Sequence, residues 1–309
     1  MVFEVTILGS SAAMPGWGRN LAAQLVNYEQ QLFLVDCGEG TQHQLLRYRV
    51  RLGRIRHILI SHLHGDHYLG LPGLLSTMQL LGRTEPLHLH APTDLAEWLT
   101  GQFRLSQAYL AYPLLFYPLP APGGAPVHVG DTLVVTTLPT DHRIEGYGFL
   151  FREKDRLRKI IKEMLPPDLP IEGIQALKRG LDVAHHGQLL RHDDHTTPPL
   201  PPLAYAYCSD TKFSPGLAPW VAGVDLLYHE ATFADDFAAR AQETYHSTAR
   251  QAAELAQLAG AKKLLLGHFS VRYRDLSPLL DQAREVFANA HLAIEGQTFS
   301  VNGQLTSQI

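Results

Sequence analysis

The chain has 309 residues, 45% hydrophobic and 18% charged, an ordinary globular composition with ample length for a large core. Its 26 basic and 30 acidic residues leave a net charge of -4, which excludes a generally basic nucleic-acid binder and confines any RNA contact to a local patch. No run approaches about 18 apolar residues, which excludes a transmembrane helix, and two cysteines, Cys37 and Cys208, exclude a disulfide scaffold.

In chain order, Val2 to Leu8 alternates and is rich in β-branched residues, and breaks at Gly9-Ser10-Ser11. Leu21 to Tyr28 and Gln31 to Val35 read as a hairpin. Asp36 to Gly40 is a turn, and Thr41 is placed to cap a helix carrying Leu45, Leu46 and Val50 on one face. Ile55 to Ser61 is a short buried strand that ends at a histidine-rich loop. Leu69 to Leu81 reads as a buried helix, Leu87 to Ala91 as a strand and Asp94 to Phe103 as a helix.

Tyr112 to Val129 reads as a proline-rich connection. Thr132 to Leu138 and Tyr147 to Phe151 are strands, with Thr140-Asp141-His142 in the loop between them. From Arg152 to Pro202 the core pattern is lost. One short helix is expected over Asp155 to Leu165, amid prolines and histidines. The segment therefore reads as an arm inserted within a single 1–309 domain. Regular alternation resumes with strands at Ala204 to Ser209, Val224 to His229 and Lys262 to Leu266. Helices are expected over Thr248 to Leu258 and Leu279 to Ala288, and closing strands over His291 to Ile294 and Gln297 to Val301.

There are 17 histidines, and histidine is the commonest metal ligand. His62-Leu63-His64-Gly65-Asp66-His67 follows a buried strand and precedes a helix. Four candidate ligands in six residues exceed what one tetrahedral ion with an open position needs, and fit two adjacent ions. His142, Asp210 and His268 each follow a predicted strand. Strand ends of a layered α/β fold converge on one edge, and a carboxylate such as Asp210 is able to bridge two cations. His185, His186, His192 and His195 have no core strand before them and read as solvated. His43, His57, His88 and His90 read as structural or exposed.

This ordered set resembles the metallo-β-lactamase superfamily, and within it the ribonuclease Z family. The wider match is carried by Leu8-Gly9-Ser10, Pro15, Arg19-Asn20, Asp36-Cys37-Gly38-Glu39-Gly40-Thr41-Gln42, Ser61 to His67, Asp141-His142 and Ser209-Asp210-Thr211. It continues through His229-Glu230-Ala231-Thr232-Phe233, His246-Ser247-Thr248-Ala249 and Gly267 to Tyr273. The resemblance implies an αβ/βα sandwich and two zinc ions per subunit, with other divalent metals as alternatives. His62, His64 and His142 would hold one ion and Asp66, His67 and His268 the other, with Asp210 between them. It implies Asp66 as general base and His246, charged and oriented by Glu230, as the acid that protonates the leaving 3′-oxygen. The activity implied is removal of 3′ trailers from precursor tRNA, leaving a 3′-hydroxyl, by a cytoplasmic homodimer with no membrane association.

The family clasps tRNA with an inserted arm, and residues 152–202 lie at the matching place, although no clear Gly-Pro hand is present. Residues 152–197 hold nine basic and eight acidic residues. Arg152, Lys154, Arg156, Arg158, Lys159 and Lys162 form the basic end, either as a stripe that tracks phosphates or as a solvated helix with paired charges. Arg19 and Arg272 suit terminal phosphates or the 3′ nucleotides, or else structural ion pairs. The alternative enzyme is a small-molecule hydrolase of the phosphodiesterase or lactonase type on the same fold. A silent metal-binding scaffold would have lost ligands, and all seven are present.

Overall fold

Strands buried on both faces need apolar residues at successive positions, each sent to a different neighbour. In the strand Leu264–Gly267, Leu264 and Leu266 pack among Ala252, Ala256 and Leu279, while Leu265 packs among Phe149, Tyr228 and Val301 on the opposite face. The computed structural model describes residues 2–303, 305 and 306, and in it this division recurs throughout and produces four layers.

One sheet contains β1 (Phe3–Gly9), β2 (Ala23–Tyr28), β3 (Gln31–Val35), β4 (Ile55–Leu59), β5 (Leu87–Ala91) and β6 (Leu114–Pro118). The other holds β7 (Pro126–Val129), β8 (Leu133–Pro139) and β9 (Tyr147–Glu153). Four short arm strands follow, β10 (Lys159–Ile160), β11 (Val183–His185), β12 (Gln188–Leu190) and β13 (Thr196–Thr197). The second sheet resumes with β14 (Ala204–Cys208), β15 (Leu226–Glu230), β16 (Leu264–Gly267) and β17 (Ala290–Leu292), and β18 (Thr298–Ser300) and β19 (Leu305–Thr306) return to the first. The strand orders are β19-β18-β1-β2-β3-β4-β5-β6 and β17-β16-β15-β14-β9-β8-β7.

Between the sheets lie Val5, Ile7, Phe33, Phe149, Phe151, Tyr205, Tyr207 and Leu265. Helices α1 (Thr41–Arg47), α2 (Gly65–Tyr68), α3 (Leu71–Leu80) and α4 (Asp94–Leu105) belong to the first half of the chain. Leu45, Leu74, Leu75 and Leu95 of these helices cover the outer face of the first sheet. The later helices are α5 (Ile171–Lys178) and α6 (His192–His195) in the arm, then α7 (Ala238–Thr244), α8 (Ala249–Ala259) and α9 (Ser277–Arg284). Ala252, Leu255 and Ala256 of α8, with Leu279 of α9, cover the second sheet. This is the αβ/βα sandwich expected from the sequence.

Three local expectations change. The connection expected over 112–129 contains β6 and β7, which are terminal strands of their sheets. Prolines are tolerated at sheet edges, where a missing N–H breaks no central ladder. Thr41 begins α1 rather than capping it, and its hydroxyl donates to Gly38 O at 2.7 Å. The helix expected over 155–165 is extended backbone, β10 and a 3₁₀ turn. Two alternate side chains fix it there: Arg156 bonds Glu153 at 2.5 Å, and Arg158 bonds Thr196 at 2.6 Å and Asp193 at 2.5 Å. The arm's longer helix is instead α5, whose Leu177 packs with Leu169 and Leu190 in a small core of its own. Such a core had not been expected there.

Candidate metal centre

The loops after β4, β8, β14, β15 and β16 meet at one edge of the sandwich. β16 ends at Gly267, where a Cβ would overlap the Tyr228 ring, and His268 then turns through a left-handed φ of 56°. His64 is extended and α2 begins at the next residue, so His62 and His64 lie on the strand side of the turn and Asp66 and His67 on the helix side.

These side chains form two adjoining donor sets. In the first, His62 Nε2 and His142 Nε2 lie 3.1 and 3.0 Å from His64 Nδ1, and 3.5 and 3.8 Å from Asp210 Oδ2. In the second, His67 Nε2 and His268 Nε2 are 3.3 Å apart. They lie 3.4 and 3.2 Å from Asp210 Oδ1, and 3.6 and 3.4 Å from Asp66 Oδ2. Donors about 2.0–2.1 Å from a tetrahedral zinc stand roughly 3.3–3.4 Å apart. The residues therefore fit two cations, with one oxygen of Asp210 turned to each set.

Most of the far ring nitrogens are held as well, which fixes ring orientation. His67 Nδ1 meets Asp36 Oδ2 at 2.7 Å, and His62 Nδ1 meets Ser61 Oγ at 3.0 Å. His142 Nδ1 meets Tyr245 O at 3.0 Å, and His268 Nδ1 meets Thr232 Oγ1 at 3.0 Å. Asp36 also accepts from Ser61 N and Oγ and from Tyr207 Oη, at 2.7, 2.8 and 2.6 Å. Burial pushes His64 and His142 down to about 4, leaving both as neutral ligands at pH 7. Burial disfavours the charge of Asp210, but the His268 and His67 imidazoles outweigh it and hold the carboxyl well below the usual range.

Behind the donors, Glu230 is fully buried and accepts from Thr211 N, Thr232 N and Thr232 Oγ1 at 3.1, 3.1 and 2.7 Å. Its Oε1 lies 2.8 Å from His246 Nδ1. Burial disfavours the His246 cation, but the Glu230 carboxylate outweighs it and raises the group to about 9. His246 precedes α8, whose Thr248 forms a reciprocal cap with Gln251 at 3.2 and 2.9 Å. The helix start thus anchors the histidine beside the donors.

A cavity of about 740 Å³ opens onto Asp66, Asp210, His246 and His268 and is flanked by Arg143, Arg240 and Arg272. Arg272 lies over the Phe237 and Phe233 rings, 4.3 and 5.2 Å from their centroids. Arg19 is turned inward, donating to Tyr273 O at 2.7 Å and Ser270 O at 3.4 Å, which makes it a loop clamp. In the arm, Lys154, Lys159 and Lys162 are exposed and Arg152 is half-buried, whereas Arg156 and Arg158 are engaged as described. Arg143 and Arg240 were not singled out in the sequence, although Arg143 directly follows His142. Thr232 belongs to the run His229 to Phe233, and nothing local in that run announces its contacts with Glu230 and His268.

The chain is similar over nearly its whole length to two curated proteins described as Ribonuclease Z. The one from Bacteroides fragilis is 46% identical over 301 residues, covering 97% of this chain and 99% of the relative. The one from Cytophaga hutchinsonii is 45% identical over 312 residues, covering 100% and 99%. Among solved structures, the short form of human tRNase Z superposes with a TM-score of 0.70 at 27% identity, covering 96% of this chain and 99% of that one. The metallo-beta-lactamase fold protein YhfI from Bacillus subtilis has a TM-score of 0.69 at 20% identity, covering 97% and 99%, and shows the shared fold. A family model described as Anti-Pycsar protein Apyc1 matches residues 3–155.

Proposed function

The chain belongs to the ribonuclease Z family and is an endoribonuclease of tRNA 3′ processing, and we propose that it works with two zinc ions, one in each donor set. The observation that carries this is the split of Asp210, whose Oδ2 and Oδ1 each complete a set of three further donors. A pair of such ions supplies an activated water for in-line attack at phosphorus and stabilises the charge that develops there.

The chain's own groups do the rest. Asp66 Oδ2 faces the second donor set and accepts from Ala13 N at 2.7 Å, which leaves Oδ1 to take up the proton of the attacking water. His246, charged through Glu230, donates a proton to the departing 3′-oxygen of the tRNA, which leaves that product with a 3′-hydroxyl. Arg272, steadied on two phenylalanines at the cavity wall, binds a phosphate next to the scissile one.

Residues 152–202 serve as the arm that holds the body of the precursor tRNA. Lys154, Lys159 and Lys162 supply its free charge, with Arg152 at its root. Arg156 and Arg158 hold its shape. The protein works as a cytoplasmic homodimer, and the subunit contact is supported by Leu80 and Leu105 at the ends of α3 and α4 and Leu81 and Tyr109 just beyond them, large apolar side chains left in solvent. Among the described residues no helix is long and apolar enough to cross a membrane, and Cys37 and Cys208 are both buried and unpaired.

The test is incubation with a 3′-extended precursor tRNA, with and without chelator, mapping the cut. Metal-dependent cleavage just 3′ of the acceptor stem is expected. Hydrolysis of a small phosphodiester without any cut in the precursor would instead identify a small-molecule hydrolase.

A further inference from the structure

The arm carries a second kind of histidine cluster, far along the chain from any of the donors described above. β11 and β12 form a hairpin closed by His186 and Gly187, both in left-handed backbone with φ of 47° and 76°. That two-residue turn matches the twist of its strands, and the His185 and His186 rings lie at a centroid separation of 4.1 Å. Both rings present Nε2 to the same carboxylate. His185 Nε2 lies 3.1 Å from Asp168 Oδ1, and His186 Nε2 lies 2.7 Å from Asp168 Oδ2.

We propose that Asp168, His185 and His186 form a third metal site, for a single transition-metal dication of the zinc, nickel or copper class, on the arm. The three donor atoms lie within 4.8 Å of one another, as do those of His62, His64, His142 and Asp210, and those of Asp66, His67 and His268. Two imidazoles and one carboxylate suit a borderline metal and not magnesium or calcium, which take all-oxygen shells. Both donor contacts are shorter than the tetrahedral edge of roughly 3.3–3.4 Å, that of His186 by more than half an ångström. Asp168 and His186 are 59% and 74% exposed, so their side chains have room to open by that amount. One dication takes a lone pair from each ring and from the carboxylate together, through the atoms that already converge.

The fold gives such an ion a task. Asp168 sits beside Leu169 at the entry to α5, and the hairpin ends at Leu190. These two segments meet otherwise through the small cluster of Leu169, Leu177 and Leu190. A bound ion ties the hairpin tip to the start of α5 and leaves at least one coordination position facing solvent. The site does not depend on how the metal centre or the reaction is read.

The experiment uses the full chain, stripped with chelator and reloaded with zinc, followed by measurement of bound zinc per chain after equilibrium dialysis. Wild type is expected to hold about one zinc more than Asp168→Ala or the double variant His185→Ala/His186→Ala. Zinc should also slow proteolytic nicking of the arm in wild type and leave the variants unchanged. Hydrolysis of bis(p-nitrophenyl) phosphate, which needs only the metal centre, reports that each variant is folded. Equal zinc content in wild type and in variants that retain this hydrolysis would overturn the proposal and leave the cluster as ion pairs.

Discussion

His67 Nδ1 lies 2.7 Å from Asp36 Oδ2, and both side chains are completely buried. The carboxylate directs Nε2 of that ring towards Asp66, His268 and Asp210, and makes the ring a stronger electron-pair donor. Ser61 and Tyr207 hold the carboxylate in turn. Asp36→Asn keeps the size and removes the charge. Zinc affinity of the second donor set is expected to fall about 10- to 100-fold, read by zinc titration against a competing chelator. Unchanged affinity would mean that packing alone orients His67.

His246 and Glu230 make a prediction in which the leaving group decides the outcome. Expelling the 3′-oxygen of a tRNA needs a proton, whereas p-nitrophenolate leaves readily without one. His246→Ala should slow precursor tRNA cleavage by about 10²- to 10⁴-fold and slow bis(p-nitrophenyl) phosphate hydrolysis far less. Equal losses on both substrates would assign His246 to holding the donors in place.

With His246 in the proposed role of acid, the same pair should set the alkaline limb of the pH profile. The acid must be protonated to act, so the rate falls as pH rises through its pKa. Glu230 lifts that value to about 9, and dications held in the two donor sets would oppose the lift. The limb should therefore lie below that value in the loaded enzyme. Glu230→Gln removes the anion that raises the pKa and should move the limb to lower pH, measured as kcat against pH. A limb that stays in place would separate Glu230 from the acid.

How far the sequence reveals this protein depends on how local the signal is. That the seven candidate donors would gather was legible because the strands before them are marked by apolar runs, and strand ends converge on one edge of such a sandwich. The sandwich itself was expected from the family resemblance; the apolar run Leu264, Leu265 and Leu266 marks only a strand buried on both faces. Tertiary partners were not legible. Nothing near Asp36 in the chain announces Tyr207, and nothing near His142 announces the carbonyl of Tyr245. In the arm, the charged run from Arg152 to Lys162 has helical composition, but Asp193 and Thr196, more than thirty residues on, hold it extended. The helix α7 escaped notice because Ala238–Thr244 has only Ala241 buried and so shows almost no apolar stripe.

The two roles proposed for Asp66, metal donor and proton acceptor, should be separable from RNA binding by a single substitution. Asp66→Ala removes a donor of the second set and the oxygen assigned to the proton. Cleavage should be lost, whereas precursor tRNA binding, which rests on phosphates far from the ions, should be largely retained. A gel-shift loss as large as the activity loss would show that binding runs through the metal centre.

The arm gives the last prediction, and the structure sets its limits. Glu153 accepts from Leu203 N at 2.9 Å and bonds Arg156, so the root of the arm is stitched across β9 and the chain entering β14. Excision should therefore begin at Asp155 and end at Pro202, with a short Gly/Ser bridge between Lys154 and Leu203. The arm's apolar side chains pack on one another around Leu169, Leu177 and Leu190, so the sandwich should fold without them. Cleavage of precursor tRNA should fall strongly, while bis(p-nitrophenyl) phosphate hydrolysis persists. In the intact chain, changing Lys154, Lys159 and Lys162 to Ala should flatten the salt dependence of tRNA binding. Each phosphate neutralised contributes about 0.7–0.9 to the slope of log K against log salt. Arg156→Ala and Arg158→Ala should loosen the arm, seen as faster proteolytic nicking, because their guanidinium groups are engaged within it. Full tRNA cleavage by the excised protein, with an unchanged salt slope, would move the RNA surface to the cavity rim at Arg143, Arg240 and Arg272.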